Sequence, residues 1–107
     1  MDKDQNISNI EAVILFKAMA DETRLKIMEM LTQEELCACH ILEAFHITQP
    51  TLSYHMKILV ESELVTSRKD GNWIRYRLNQ DKVAKLNALT KRYITHDDVC
   101  IREGGCD

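Results

Sequence analysis

The sequence has no hydrophobic run long enough to cross a membrane, although 45% of its 107 residues are hydrophobic. Its first nine residues, MDKDQNISN, are polar and acidic, so they do not resemble a secretory signal. Internal repeats and low-complexity segments are also lacking. A chain of this length and composition predicts one domain over residues 1–107, in the cytoplasm and without a membrane partner.

The sequence also lacks the positive charge of a strongly basic nucleic-acid binder, since its net charge is −3. The charge is unevenly distributed. Residues 1–47 hold nine acidic and four basic residues, whereas residues 48–78 hold three acidic and five basic residues. The middle of the chain is therefore the part that favours contact with DNA, and the acidic remainder would limit sliding on random sequence.

A recognition helix is predicted over about residues 48–62. Thr48 is a candidate N-cap, and Pro50 falls in the first turn, where its missing N–H costs little. Leu52, Met56 and Leu59 have the spacing of one buried stripe. The opposite face is polar and neutral to basic, as a helix that enters a major groove requires. The predicted DNA contacts on this helix are Gln49, Thr51, Ser53, Tyr54, His55 and Lys57.

A β-hairpin is predicted over about residues 64–78, with strands at 64–68 and 73–78 and a turn at 69–72 that contains Asp-Gly. Trp73, Arg75 and Arg77 alternate with apolar residues, so they share the outer face. The predicted DNA contacts on this wing are Lys69, Asn72 and Arg75. The alternative is a helix and hairpin whose charged face only meets water, but the capped polar helix and the basic hairpin together favour DNA binding.

Four further helices are predicted, two of them at the ends of the domain. These two span about residues 8–20 and 80–94, and both have apolar stripes that need a partner, so they are the candidate dimer interface. Asp21 caps a second helix with Leu25, Met28 and Leu31 in its core stripe. A third, short helix opens at residues 34–40 and continues to Phe45, and residues 95–107 form a flexible tail. The resulting fold is mainly α with a small β-hairpin: a winged helix-turn-helix of about five helices and a two-stranded wing.

A Cys-x-Cys pair, Cys37 and Cys39, lies in the third predicted helix. Positions i and i+2 of a helix are about 200° apart, so the two sulfurs should point away from each other, and a shared ion should deform the helix start. Thiolates select soft ions, and the third ligand could be His40, Cys100 or Cys106. The alternative is two small buried side chains with no ligand, but the position of the pair before the recognition helix favours a metal site formed by Cys37, Cys39, Cys100 and Cys106.

Four segments resemble the ArsR/SmtB family of winged-helix metalloregulators, and within it the arsenical-resistance-operon repressors. These are DETRLKIMEML, ELCACHILEAF, TQPTLSYHMKIL and LVTSRKDGNWIRYRLN. The resemblance implies a homodimer that binds operator DNA and releases it when As(III) or Sb(III) binds Cys37 and Cys39. Some members have a third cysteine where this chain has Leu42, and the last-helix zinc site of others looks absent because Val83 and Ile94 replace histidines.

Two alternatives remain open at the level of the sequence. The same cysteines could respond to Cd(II), Pb(II) or oxidation to a disulfide. The chain could instead be a small thiol enzyme such as a reductase, but such enzymes usually need Cys-x-x-Cys at a strand-helix junction. No phosphate loop and no nucleophile-base pair is evident, so we expect no enzymatic activity and no organic cofactor.

Overall fold

The computed structural model describes residues 6–94 as five helices and a three-stranded antiparallel sheet. The elements, in chain order, are α1 (Asn9–Met19), α2 (Glu22–Met30), β1 (Leu36–Cys37), α3 (Ala38–Glu43), α4 (Gln49–Glu61), β2 (Val65–Asp70), β3 (Trp73–Leu78) and α5 (Gln80–Lys91). The predicted winged helix-turn-helix is confirmed, with one strand more than expected. Among the described residues, no helix is both long enough and apolar enough to span a membrane.

Four helices begin after a polar side chain that accepts a hydrogen bond from the first turn. The predicted caps Asp21 and Thr48 accept from the backbone N–H groups of the residues three positions later, at 3.0 and 3.3 Å, and Asn79 does the same for α5 at 3.4 Å. Ser8 does the same for α1 at 3.1 Å. These bonds satisfy amides that have no partner inside the helix. Helix α5 ends at Lys91, three residues earlier than predicted.

The core stripe of α4 is confirmed, because Leu52, Met56 and Leu59 are all buried. Helix α2 differs from the prediction. Of its predicted core stripe, Met28 and Leu31 are buried, whereas Leu25 is 47% exposed and Ile27 is buried instead. The assignment of Leu25 to the core was therefore wrong, because the buried face of α2 is centred on Ile27, Met28 and Leu31.

The hairpin has a continuous register from Val65 opposite Leu78 to Asp70 opposite Trp73. Its first strand continues to Asp70, beyond the predicted end at residue 68. The connection is therefore only two residues long, and its first residue, Gly71, has a φ of +66°. Glycine adopts this conformation without strain, which makes a tight hairpin possible here.

The third strand, β1, replaces the start of the predicted third helix. Leu36 pairs with Tyr76 and Cys37 with Arg75, both across the outer edge of β3. This pairing supplies backbone hydrogen bonds that a helix would otherwise provide. The prediction of a helix from residue 34 was therefore wrong, and α3 begins only at Ala38, after an extended Cys37 with φ −86° and ψ 159°.

A buried arginine, Arg24, joins three helices at the back of α4. Its Nε donates to the carbonyl of Ala18 at 2.6 Å, and a terminal nitrogen donates to the carbonyl of Lys17 at 3.4 Å. Its other terminal nitrogen lies 3.0 Å from Nδ1 of His55 in α4. One side chain thus caps the end of α1 and fixes the rotation of α4.

Replacing Arg24 by methionine should lower the free energy of unfolding by about 2–3 kcal/mol, because two carbonyls and the His55 nitrogen would lose their partner in a buried site. Urea denaturation followed by circular dichroism measures the change. Lys26→Met, at an exposed position of the same helix, is the control and should stay within about 0.5 kcal/mol of the wild type. Equal losses in the two variants would contradict the role of Arg24.

Candidate functional site

The predicted reading face of α4 is exposed, apart from one residue. Helix α4 presents five of the six predicted side chains to solvent: Gln49, Thr51, Ser53, Tyr54 and Lys57. Tyr54 is 61% exposed, so within residues 6–94 most of its aromatic ring meets solvent. Pro50 lies in the first turn and Thr48 caps it. This end of the helix therefore presents small polar groups that can approach base edges.

His55 is the exception, and it does not belong to the reading face. It is 9% exposed and its ring lies against Arg24, with Asp21 Oδ2 at 3.8 Å. The prediction that His55 contacts DNA is therefore corrected, because the buried Arg24 turns this position toward α2. The same surroundings affect Asp21, whose pKa is lowered mainly by the backbone N–H of Arg24 and further by His55 and the Arg24 charge.

The wing presents Lys69 and Asn72 to solvent at its tip, as predicted. Arg75 is half-buried and its Nε donates to Asp70 at 2.8 Å. Sequence reasoning missed Arg68, which lies opposite Arg75 and forms a two-point ion pair with Glu35. The outward alternation of the strands could have indicated Arg68, but its acidic partner comes from a distant part of the chain.

The two central cysteines are brought together rather than apart. Cys37 ends β1 in an extended conformation and Cys39 follows in the first turn of α3, with a Cα–Cα distance of 5.4 Å. Their Sγ atoms are in direct contact, in the arrangement of a disulfide. The prediction that the two sulfurs point away from each other was wrong, because it assumed that both residues were helical.

His40 adds a third donor atom beside this pair. Its Nδ1 lies 3.2 Å from Sγ of Cys37, and one donor atom from each of the three residues lies within 4.8 Å of the others. Cys37 is 3% exposed, Cys39 is half-buried and His40 is exposed. This group is compact enough to hold one ion. The other predicted ligands, Cys100 and Cys106, lie outside the described residues.

A groove of about 390 Å³ connects Cys39 with α4 and with the hairpin. Cys39 and Leu42 line it from α3, Gln49 and Ser53 from α4, and Trp73 from the start of β3. A ligand on Cys39 therefore lies beside residues of the reading helix and of the wing. Trp73 is the only tryptophan of the chain, so its emission can report on this groove.

Comparison with known proteins shows the family to which the chain belongs. Residues 21–67 match the family model described as bacterial regulatory protein, arsR family. The arsenical resistance operon repressor of Staphylococcus xylosus is 42% identical over 100 residues, covering 90% of this chain and 96% of that protein. The repressor of the same name from Staphylococcus aureus is 48% identical over 83 residues, covering 74% and 80% of the two chains.

A solved structure agrees with the fold. HlyU from Vibrio cholerae N16961 superimposes with a TM-score of 0.66 at 34% identity, covering 78% of this chain and 92% of that chain. The matched family and relatives are transcriptional regulators, which speaks against the thiol-enzyme alternative. The chain belongs to the ArsR family of winged-helix transcriptional regulators.

Proposed function

We propose that this protein is a cytoplasmic homodimeric repressor that binds operator DNA and releases it when As(III) or Sb(III) binds Cys37 and Cys39. The observation that carries the proposal is that the thiol pair begins at the end of β1, a strand of the wing sheet itself. An ion held there acts directly on a DNA-binding element. The names of the two staphylococcal relatives support a metalloid as the inducer.

The chemistry of the donors fits a soft, thiophilic ion. Cys37 and Cys39 supply two thiolates when reduced, and thiolates favour soft ions over Mg²⁺ or Ca²⁺. Because the ion binds the deprotonated sulfurs, its binding releases protons. We propose that Cys100 or Cys106 gives the third sulfur, since imidazole is a harder donor than thiolate. His40 then lies beside the Cys37 sulfur without replacing it.

The exposed side chains indicate how operator DNA would be read. The start of α4 enters the major groove with Gln49, Thr51 and Ser53, and Tyr54 and Lys57 lie along the same exposed surface. The wing adds Lys69 and Asn72 at its tip, with Arg75 behind them. Residues 48–78 are the only net-positive part of the chain, so they favour phosphate contact.

The homodimer is proposed from an apolar surface on α1 and α5. Four large apolar residues of α1 are exposed in the single chain: Ile10, Val13, Ile14 and Phe16. Phe16 also borders an apolar groove with Val83 and Leu86 of α5. A surface of this kind usually meets a partner. A two-fold dimer through these helices would place two reading helices about 34 Å apart, one turn of DNA.

Arsenite should lower the affinity of the reduced protein for operator DNA by about 5- to 150-fold, the usual range of coupling between two sites. Electrophoretic mobility shift with and without saturating arsenite measures the two affinities. Cys37→Ser/Cys39→Ser should still bind the operator but lose the response. The same assay with Cd(II), Pb(II) or peroxide tests the alternative signals. Unchanged operator retention by the wild type in arsenite would contradict the sensor.

X-ray absorption of the As(III)-loaded protein should count three sulfur ligands in the wild type. Cys100→Ser/Cys106→Ser should reduce the count to two, because the remaining donors near the pair carry oxygen or nitrogen. His40→Ala is the matched control and should keep three sulfurs. Saturation is followed by Trp73 emission in the shared groove. Two sulfurs and one nitrogen in the wild type would assign the third position to His40 instead.

Ile10→Glu should raise the dissociation constant of the dimer by about a hundredfold, because an unpaired carboxylate would be buried at the interface. Ile10 is 78% exposed in the single chain, so the variant should still fold. Sedimentation velocity over a range of concentrations measures the change. Leu25→Glu, at an exposed apolar residue on α2, should leave the dimer intact. Similar dissociation in both variants would contradict this interface.

A further inference from the structure

An ion pair connects the segment before the thiol pair with the far strand of the wing. Glu35 lies two residues before Cys37, and its two carboxylate oxygens accept hydrogen bonds from Nε and a terminal nitrogen of Arg68, both at 2.8 Å. Arg68 is on β2, and β3 lies between β1 and β2 in the sheet. The pair therefore reaches across the middle strand and joins both edges of the sheet.

The wing needs an acidic partner at this point because of its own charges. Arg68 and Arg75 lie directly opposite each other in the β2–β3 register, and like charges in opposed positions destabilise a sheet. Asp70 offsets Arg75 at 2.8 Å, whereas Arg68 depends on Glu35. The hydrogen bonds from Arg68, followed by the charges of Arg68, Arg75 and Arg77, lower the pKa of Glu35.

We propose that Glu35 is the positioning residue that transmits ligand binding at the thiol pair to the wing, through its ion pair with Arg68. The inference rests on the proposed function and assigns a coupling route to the same site. β1 is only two residues long and pairs with β3 through Leu36 and Cys37 alone. When Cys37 moves to hold an ion, Glu35 moves with it, and Arg68 then faces Arg75 without its counter-charge.

The Glu35–Arg68 ion pair should contribute little to the stability of the fold, which leaves it free to couple the thiol pair to the wing. The Arg68 side chain is 56% exposed and that of Glu35 is 27% exposed, and exposed ion pairs contribute little to stability. Replacing Glu35 should therefore leave the fold intact. A neighbouring acid offers a matched control: Glu34 is exposed and forms no ion pair among residues 6–94.

The test compares Glu35→Gln with Glu34→Gln in the full chain. Operator dissociation constants are measured with and without saturating arsenite, and their ratio gives the response. Glu35→Gln should bind the operator more weakly than the wild type without arsenite, because Arg68 then faces Arg75 without its counter-charge, as proposed for the ion-bound protein. Its response should shrink by about 2- to 30-fold, the range seen for residues that carry coupling. Glu34→Gln should respond like the wild type.

Arg68→Gln and the Glu35→Gln/Arg68→Gln double variant complete a double-mutant cycle. This cycle distinguishes coupling through the ion pair from direct contact of Arg68 with DNA. If Glu35 and Arg68 act as a unit, the arsenite response of the double variant should be at least as large as that of Arg68→Gln alone. Arsenite stoichiometry, followed by Trp73 emission, should be the same in all variants.

Several outcomes would overturn the inference while leaving the proposed function in place. These are a wild-type response in Glu35→Gln, equal losses in the Glu34 and Glu35 variants, additive losses in the cycle, or a Glu35 variant that no longer binds arsenite. A wild-type protein that keeps its operator in arsenite contradicts the proposed function, and this inference with it. The two failures are therefore distinguishable.

Discussion

The pairing of Leu36 and Cys37 with the edge of β3 determines where both parts of the candidate site lie. Because Cys37 is extended, the chain turns into α3 only after it, and Cys39 brings its sulfur back to the same side. Because the strand belongs to the wing sheet, the sulfurs adjoin this sheet directly, and under the proposed function a change there would act on the wing without crossing the core. Two backbone pairings thus connect the chemistry of a thiol site with the geometry of a DNA reader.

The reading helix is positioned from the opposite side by Arg24. Its contacts with two carbonyls at the end of α1 and with His55 fix which face of α4 meets water. The exposed side chains of α4 are therefore set by a buried polar cluster as much as by the apolar stripe of Leu52, Met56 and Leu59.

The features that could be predicted from the sequence are those with local causes. Thr48, Asp21 and Asn79 cap their helices through atoms three residues away, and the α4 stripe follows from helical spacing alone. β1 could not be predicted, because a two-residue strand exists only through its pairing with β3. His55 and Leu25 were misassigned for a similar reason: which face of a helix is buried depends on neighbours that local spacing does not specify. The Glu35–Arg68 pair joins residues 33 positions apart, so no local pattern indicates it.

The unequal burial of the two sulfurs has a consequence for kinetics. Cys37 is 3% exposed, whereas Cys39 borders the open groove beside Trp73. In the reduced pair, an incoming electrophile therefore reaches Cys39 first and meets Cys37 only in a second, intramolecular step. Capture becomes sequential, and the rate of the second step is set by local geometry rather than by the concentration of the ion. A reagent too bulky for that second step would stop at a single bond to Cys39.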